Sequence, residues 1–146
     1  MEVSSASGSS EVLACLYFDL PSEIENNIKN VGLYITHEED SVGGEGDIKV
    51  APLNAPWTDR VRTEDDLDEG ISVSVGYEVF AHVSGQSEDT SYCDITDIFN
   101  AWWDESLEHH GIRLLSNDAS KMHYFSSIES SNTGWRPFIR IMTFDE

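Results

Sequence analysis

The sequence predicts an all-β sandwich of about seven to nine antiparallel strands, with one short helix near residues 96–103. Three observations predict it. From residue 12 onward the chain is built of short runs in which apolar and polar residues alternate with period two. Loops of roughly five to twelve residues, rich in Gly, Pro and acidic side chains, separate these runs. The period changes to that of a helix at one place only. The chain has 146 residues and is 39% hydrophobic. That suits a single domain burying about two-thirds of the surface its unfolded chain exposes. Residues 1–10 are Ser- and Gly-rich and read as a flexible tail, and 11–146 as one β-sandwich domain without internal repeats.

The elements follow in order. In Val12–Leu20, Leu16, Phe18 and Leu20 share one parity and form the expected core face, and Pro21 ends the strand. In Ile28–Thr36, Val31, Leu33 and Ile35 alternate against Gly32, Tyr34 and Thr36. His37–Asp47 holds Glu38, Glu39, Asp40, Glu45, Asp47 and three glycines, and reads as a loop. A short strand around Ile48 and Val50 stops at Pro52, followed by an irregular stretch around Trp57 and a charged loop, Glu64–Glu69. Ile71–Val75 and Tyr77–Val83 are two more alternating runs, and Gly85–Ser91 is a polar loop.

Ile95, Ile98, Phe99 and Trp102 fall at i, i+3, i+4 and i+7, the stripe of a short amphipathic helix. Thr96 is the expected N-cap, with Asp97 complementing the dipole. A helix of two or three turns is unstable alone, so its stripe must lie against the sheets. Gly111–Ser116, Lys121–Ser126 and Phe138–Phe144 return to period two. In the last, Phe138, Arg140 and Met142 lie opposite Ile139, Ile141 and Thr143 in parity.

Asp and Glu number 28 against 8 Lys and Arg, a net charge of −20. Such a surface repels nucleic acid and anionic lipid, so no nucleic-acid partner is expected. No apolar run approaches the ~20 residues of a membrane-spanning helix. Met1–Ser10 lacks the basic and apolar segments of a secretory signal. Cys15 points away from the Leu16/Phe18 face and Cys93 shares the parity of Ile95. No disulfide is therefore expected, and free thiols fit folding in a reducing compartment.

Several segments resemble the DNRLRE (disaggregatase-related) domain family. LYFDLPSEI and IKNVGLYIT are similar to its first paired strands. Trp57-Thr58 stands where the family has a Trp-Thr/Ser-Glu segment, although its Val-Thr-Trp turn reads Val61-Arg62-Thr63 here. Asp94–Trp102 resembles the family's D-V-T-x-x-V-x-x-W helix, followed by His110-Gly111-Ile112-Arg113-Leu114 in place of Y-G-F-x-L. Phe125–Glu129 and Arg136-Pro137-Phe138 resemble its closing segments. Together these cover about residues 13–144. The resemblance implies a jelly-roll β-sandwich, a non-catalytic module of surface and extracellular proteins, some of which bind carbohydrate, acidic polysaccharide included. Members usually begin with an extra strand. Here either Glu2–Val3 supplies a shortened one or an edge stays open, as a docking site for a neighbour's strand.

The candidate ligand or partner contacts are Trp103, Trp135 and Arg136. Trp103 points ~100° around the helix from the core-facing Trp102. Trp135 and Arg136 lie in the loop SNTGWRP. Exposed indoles stack on sugar rings or anchor a protein partner, and Arg136 or Arg140 can clamp a carboxylate. Trp57 and Trp102 read as core, and Asp94 and Thr96 as a helix start rather than a ligand site.

No metal site or cofactor is expected. The acidic loops lack EF-hand spacing and read as solvated, with calcium a lesser alternative. His37, His82, His109, His110 and His123 form no zinc motif. No nucleophile elbow, phosphate loop or Rossmann glycine pattern occurs, so no enzyme is expected. The leading expectation is a structural or decorating subunit of a surface assembly, such as a virion or filament, oligomeric in its native context. The alternative is a carbohydrate-binding module located outside the cell.

Overall fold

The computed structural model describes residues 2–4, 14–54, 73, 75–116, 122–127 and 130–144. Nine strands and one α-helix lie among them: β1 (Glu2–Ser4), β2 (Ala14–Leu16), β3 (Ile28–Val42), β4 (Gly46–Pro52), β5 (Val79–Val83), β6 (Thr90–Asp94), α1 (Thr96–Trp103), β7 (Ile112–Ser116), β8 (Met122–Phe125) and β9 (Phe138–Thr143). They form the expected all-β sandwich of two antiparallel sheets. No helix among the described residues is long and apolar enough to cross a membrane.

The first sheet is organised around β3. Its first half pairs with β9 on one side and β6 on the other, and its second half pairs with β8, which also pairs with β1. The second sheet has the order β2-β7-β4-β5. Between them lie Val31, Leu33, Ile35, Ile48, Val50, Ala81, Val83, Cys93, Ile112 and Leu114. The alternation of the sequence is what places these side chains on inner faces.

Helix α1 spans the expected residues and buries Ile98, Phe99 and Trp102 against this core. Its cap differs from the expectation. Thr96 is the first helical residue, and Asp94 does the capping: its Oδ1 accepts the Thr96 backbone N–H at 2.9 Å and the Thr96 hydroxyl at 2.5 Å. Thr96 Oγ1 is thereby free to accept the backbone N–H of Val31 at 2.9 Å, tying the helix start to β3.

The segment from His37 to Asp47 is not a loop. β3 continues to Val42 and β4 begins at Gly46, joined by a tight turn. Glu38, Glu39 and Asp40 look like loop residues because they are exposed, yet this end of the strand is held by β8 across two register shifts. The neighbouring 84–89 loop holds it too: His37 N–H donates to Asp89 O and Ser41 N–H to Gly85 O. Gly85, at φ +77, lets that loop approach the turn, since a Cβ there would stand 2.5 Å from the carbonyl oxygen of Gly44.

Other boundaries shift. The first run is strand only over Ala14–Leu16, although Phe18 and Leu20 still pack on the core. Val75–Tyr77 is a 3-10 turn, and Val73 bridges Leu53. Trp57, the Val61–Thr63 turn and the Glu64–Glu69 loop lie outside the described residues. Cys15 and Cys93 form no disulfide, as expected, and burial pushes the Cys93 thiol up to about 12. Glu2–Ser4, within the expected tail, is a strand along β8, the shortened strand anticipated from Glu2–Val3.

Candidate functional site

The outer face of the β9-β3-β6 sheet carries the best-organised constellation of exposed side chains. Register sets it out in rows. Phe138, Tyr34 and Tyr92 lie side by side across the three strands, the next row is Arg140, Gly32 and Asp94, and Met142 lies beside Asn30 in the third. Tyr92, Phe138 and Met142 are 44%, 46% and 41% exposed, on a face where the rules of solubility favour polar residues.

Gly32 shapes this face. A Cβ there would overlap Cε2 of Tyr92 and stand 3.0 Å from its Cδ2. The Tyr92 ring therefore leans diagonally over bare backbone instead of standing up from the sheet. Asn30 Nδ2 donates to Tyr92 Oη at 2.9 Å and fixes the far end of the ring. The result is an aromatic plate with its outer face open and its hydroxyl hydrogen free to donate. Tyr34 and Phe138 form a second block, stacked at 4.8 Å and 9°, with Tyr34 tilted against Tyr92 at 5.4 Å. Phe144 continues the line and has Lys29 Nζ 5.9 Å from its centroid.

On this face β3 and β9 carry basic groups, and β6 carries Asp94, whose Oδ1 is engaged with Thr96. Residues 28–34 and 136–144 hold Lys29, Arg136 and Arg140 and no acid, within a chain of net charge −20. Arg140 is exposed and makes no ion pair among the described residues. Flat aromatic faces bordered by a guanidinium, an amide and a phenol can stack on a pyranose ring and hydrogen-bond its hydroxyls or a carboxylate.

The residues expected from the sequence fare differently. Trp103 is half-buried, stacks on Phe99 at 6.0 Å and packs against the core. Trp135 is half-buried in a 3-10 turn, Thr133–Trp135, capped by the Asn132 side chain. Arg136 is exposed, but its Nε donates to Ser130 O at 2.9 Å, which orders the loop. The structure thus sets Trp135 and Arg136 just ahead of β9 and leaves Trp103 on the helix. Tyr34 and Tyr92 were absent from the expected contacts. Their signal was the parity of Tyr34 with Gly32, opposite the core-facing Val31, Leu33 and Ile35.

Two other clusters stand apart. His37 and His123 are buried in edge contact, Nε2 to Nδ1 at 3.4 Å, with His37 also against Phe125 at 4.4 Å. Burial lowers the His37 pKa. His109 is wedged between Tyr17 and Trp102, with its Nε2 2.5 Å from Phe18 O, and burial lowers its pKa as well. A shallow cavity of about 380 Å³ beside α1 is lined by Glu78, Asp97, Asn100 and Asp104. Among the described residues no three His, Cys, Asp or Glu side chains converge as metal ligands.

No protein-family model, curated protein or solved structure matches the chain.

Proposed function

We propose that this domain is a non-catalytic binding module that seats a saccharide on the outer face of its β9-β3-β6 sheet. The observation that carries the reading is the Tyr92 ring, laid over Gly32, pinned by Asn30 and open to solvent. A ring held in this way loses little freedom on binding, so little of the contact energy is spent on ordering it. Arg140 flanks it with donors for ring hydroxyls or a sugar carboxylate, and the Asn30 amide oxygen can accept from a hydroxyl. The reading agrees with what the family resemblance of the sequence implies. It moves the contact from Trp103 to Tyr92, and keeps Trp135 and Arg136 as rim.

Affinity electrophoresis through gels containing neutral and acidic polysaccharides tests it, backed by a glycan array. Retardation by at least one polysaccharide is expected, abolished by Tyr92→Ala and reduced by Arg140→Ala, with Trp103→Phe unaffected. Retardation that survives Tyr92→Ala would remove the site, and absence of binding to any glycan would remove the class.

A second reading, a structural or decorating subunit of an assembly such as a virion or filament, is favoured by a separate observation. Phe138 and Met142 on β9, with Phe144 just beyond its end, make an exposed apolar line, the kind of surface that protein neighbours cover.

A further inference from the structure

We propose that two copies of the chain associate edge to edge through β9, antiparallel, about a twofold axis at Ile141. The inference stands apart from the saccharide reading. β9 pairs with β3 and, among the described residues, with no other strand. The direction of its main-chain groups follows from two hydrogen bonds. Phe144 N–H donates to Asn27 O at 3.0 Å, so the groups of residues 144, 142, 140 and 138 turn toward β3. Val31 O accepts from Ile95 on the opposite side of β3, which gives the same alternation. The N–H and C=O groups of Ile139, Ile141 and Thr143 therefore turn to the open edge, and none has a partner among the described residues.

Edges of this kind are usually blocked by proline, a bulge or inward-pointing charge. β9 itself has none of these, and its one charge, Arg140, lies on the outer face. A second β9 satisfies the three donors and three acceptors with an identical set, the requirement of an isologous interface.

Charge selects both the edge and the register. A chain of −20 is repelled by its own copy over most of its surface. The edge formed by residues 28–34 and 136–144 carries no acid, so two copies approach there with least repulsion. Side chains opposite one another must share a face, which leaves a twofold at Arg140 or at Ile141 near the strand centre. The first sets two guanidinium groups directly opposite one another, where Cα atoms are only ~4.5 Å apart. The second sets Arg140 opposite Met142 of the second copy and Phe138 opposite Phe144 of the second copy. The exposed apolar side chains of the two copies then pack beside one another across the joint and the like charges are staggered.

Light scattering and sedimentation of the full chain across concentration, at low and high salt, test the association. The expected result is a mass approaching twice 16.3 kDa, with more dimer at high salt because screening relieves the repulsion between copies. A monomer at every concentration and salt overturns the proposal, as does a dimer that dissociates when salt is added. Phe138→Glu with Phe144→Glu should give a monomer with an unchanged circular dichroism spectrum, and a dimer persisting in that variant overturns the proposal. The register is read by cysteine pairs in a Cys15→Ser background. Arg140→Cys with Met142→Cys should cross-link on oxidation, since opposed Cα atoms ~4.5 Å apart fall within disulfide range. Cross-linking by Arg140→Cys alone would overturn the Ile141 register.

Discussion

Replacing Gly32 by Ala separates the platform from the fold that carries it. The new methyl group lands in the Tyr92 ring and comes within 3.1 Å of Cε2 of Tyr34. What it meets is side chain on an exposed face, and Gly32 is not among the positive-φ glycines, so the backbone tolerates Ala. Tyr92 swings outward and its hydroxyl leaves Asn30. That bond between neutral groups contributes about 1 kcal/mol. Ala in place of Gly within a strand restores roughly 0.5–1 kcal/mol through the unfolded chain. The two nearly cancel, and the melting midpoint should move by no more than ~3 °C. Binding should respond far more. Loss of a stacking face worth about 1.4 kcal/mol is a tenfold loss of affinity. Calorimetry gives the midpoint, the Asn30 side-chain amide resonances report the broken bond, and affinity electrophoresis reports binding. A midpoint drop of ~10 °C would mean that the strand had moved and not the ring. An unchanged midpoint with the amide resonances shifted and retardation intact would refute the platform itself.

Three further outcomes follow from the packing. Arg113 is buried and its Nη2 donates to Glu78 at 2.7 Å across the small Ala51; Glu78→Ala removes a charged acceptor and should cost about 1–3 kcal/mol in denaturant unfolding, with a wild-type midpoint counting against the pair. Thr96→Val removes the acceptor of the Val31 N–H and should cost about 1–3 kcal/mol by the same assay, with a wild-type midpoint counting against the helix–strand tie. Burial lowers the folded His37 pKa below its ordinary 6.5, so the unfolded chain binds more protons between the two values; stability from this group is complete above about pH 6.5 and is lost as pH falls through the folded value. Urea titrations on either side of that pH should show a smaller loss on acidification in His37→Gln than in the wild type, and identical pH slopes would exclude His37 as the source.

The fold was legible where the period was clean. Val31, Leu33 and Ile35 face inward, and Ile95, Ile98, Phe99 and Trp102 are buried as their spacing required. It was illegible where a distant partner decides. Glu38, Glu39 and Asp40 resemble loop residues, and only the pairing of this stretch with β8 and the 84–89 loop makes it strand. Arg113 has outward parity yet is buried, because Glu78 receives its charge. Thr96 suits an N-cap by local chemistry, but Asp94 takes that role and releases the Thr96 hydroxyl to Val31. The outer-face constellation was only half legible, for a related reason. The parity of Tyr34 and of Phe138, Arg140 and Met142 was visible, but not the strand order β9-β3-β6 that sets them beside Tyr92. Of the two alternatives at the N-terminus, a shortened strand or an open edge, the structure has the strand, Glu2–Ser4 along β8.

The platform and the edge, if both operate, predict a dependence that neither has alone. Joining two β9 strands makes one sheet face running β6-β3-β9-β9-β3-β6. Tyr92 of one copy then lies five strand spacings from Tyr92 of the other, or ~24 Å at ~4.8 Å per strand. A polymer crossing the strands can reach both plates, whereas a short oligosaccharide reaches one. The second contact is then intramolecular and raises apparent affinity roughly a hundredfold without any new interaction. Phe138→Glu with Phe144→Glu also alters the rim of the platform, so the edge is better broken from its backbone, with Thr143→Pro. Proline there removes an outward N–H near the end of β9 and leaves Tyr34, Tyr92 and Asn30 untouched. Calorimetric titration of that variant should show unchanged affinity for an oligosaccharide and the large loss for the polymer. Equal losses for both ligands would place the proline's effect on the platform, and an undiminished affinity for the polymer would mean that each plate binds alone.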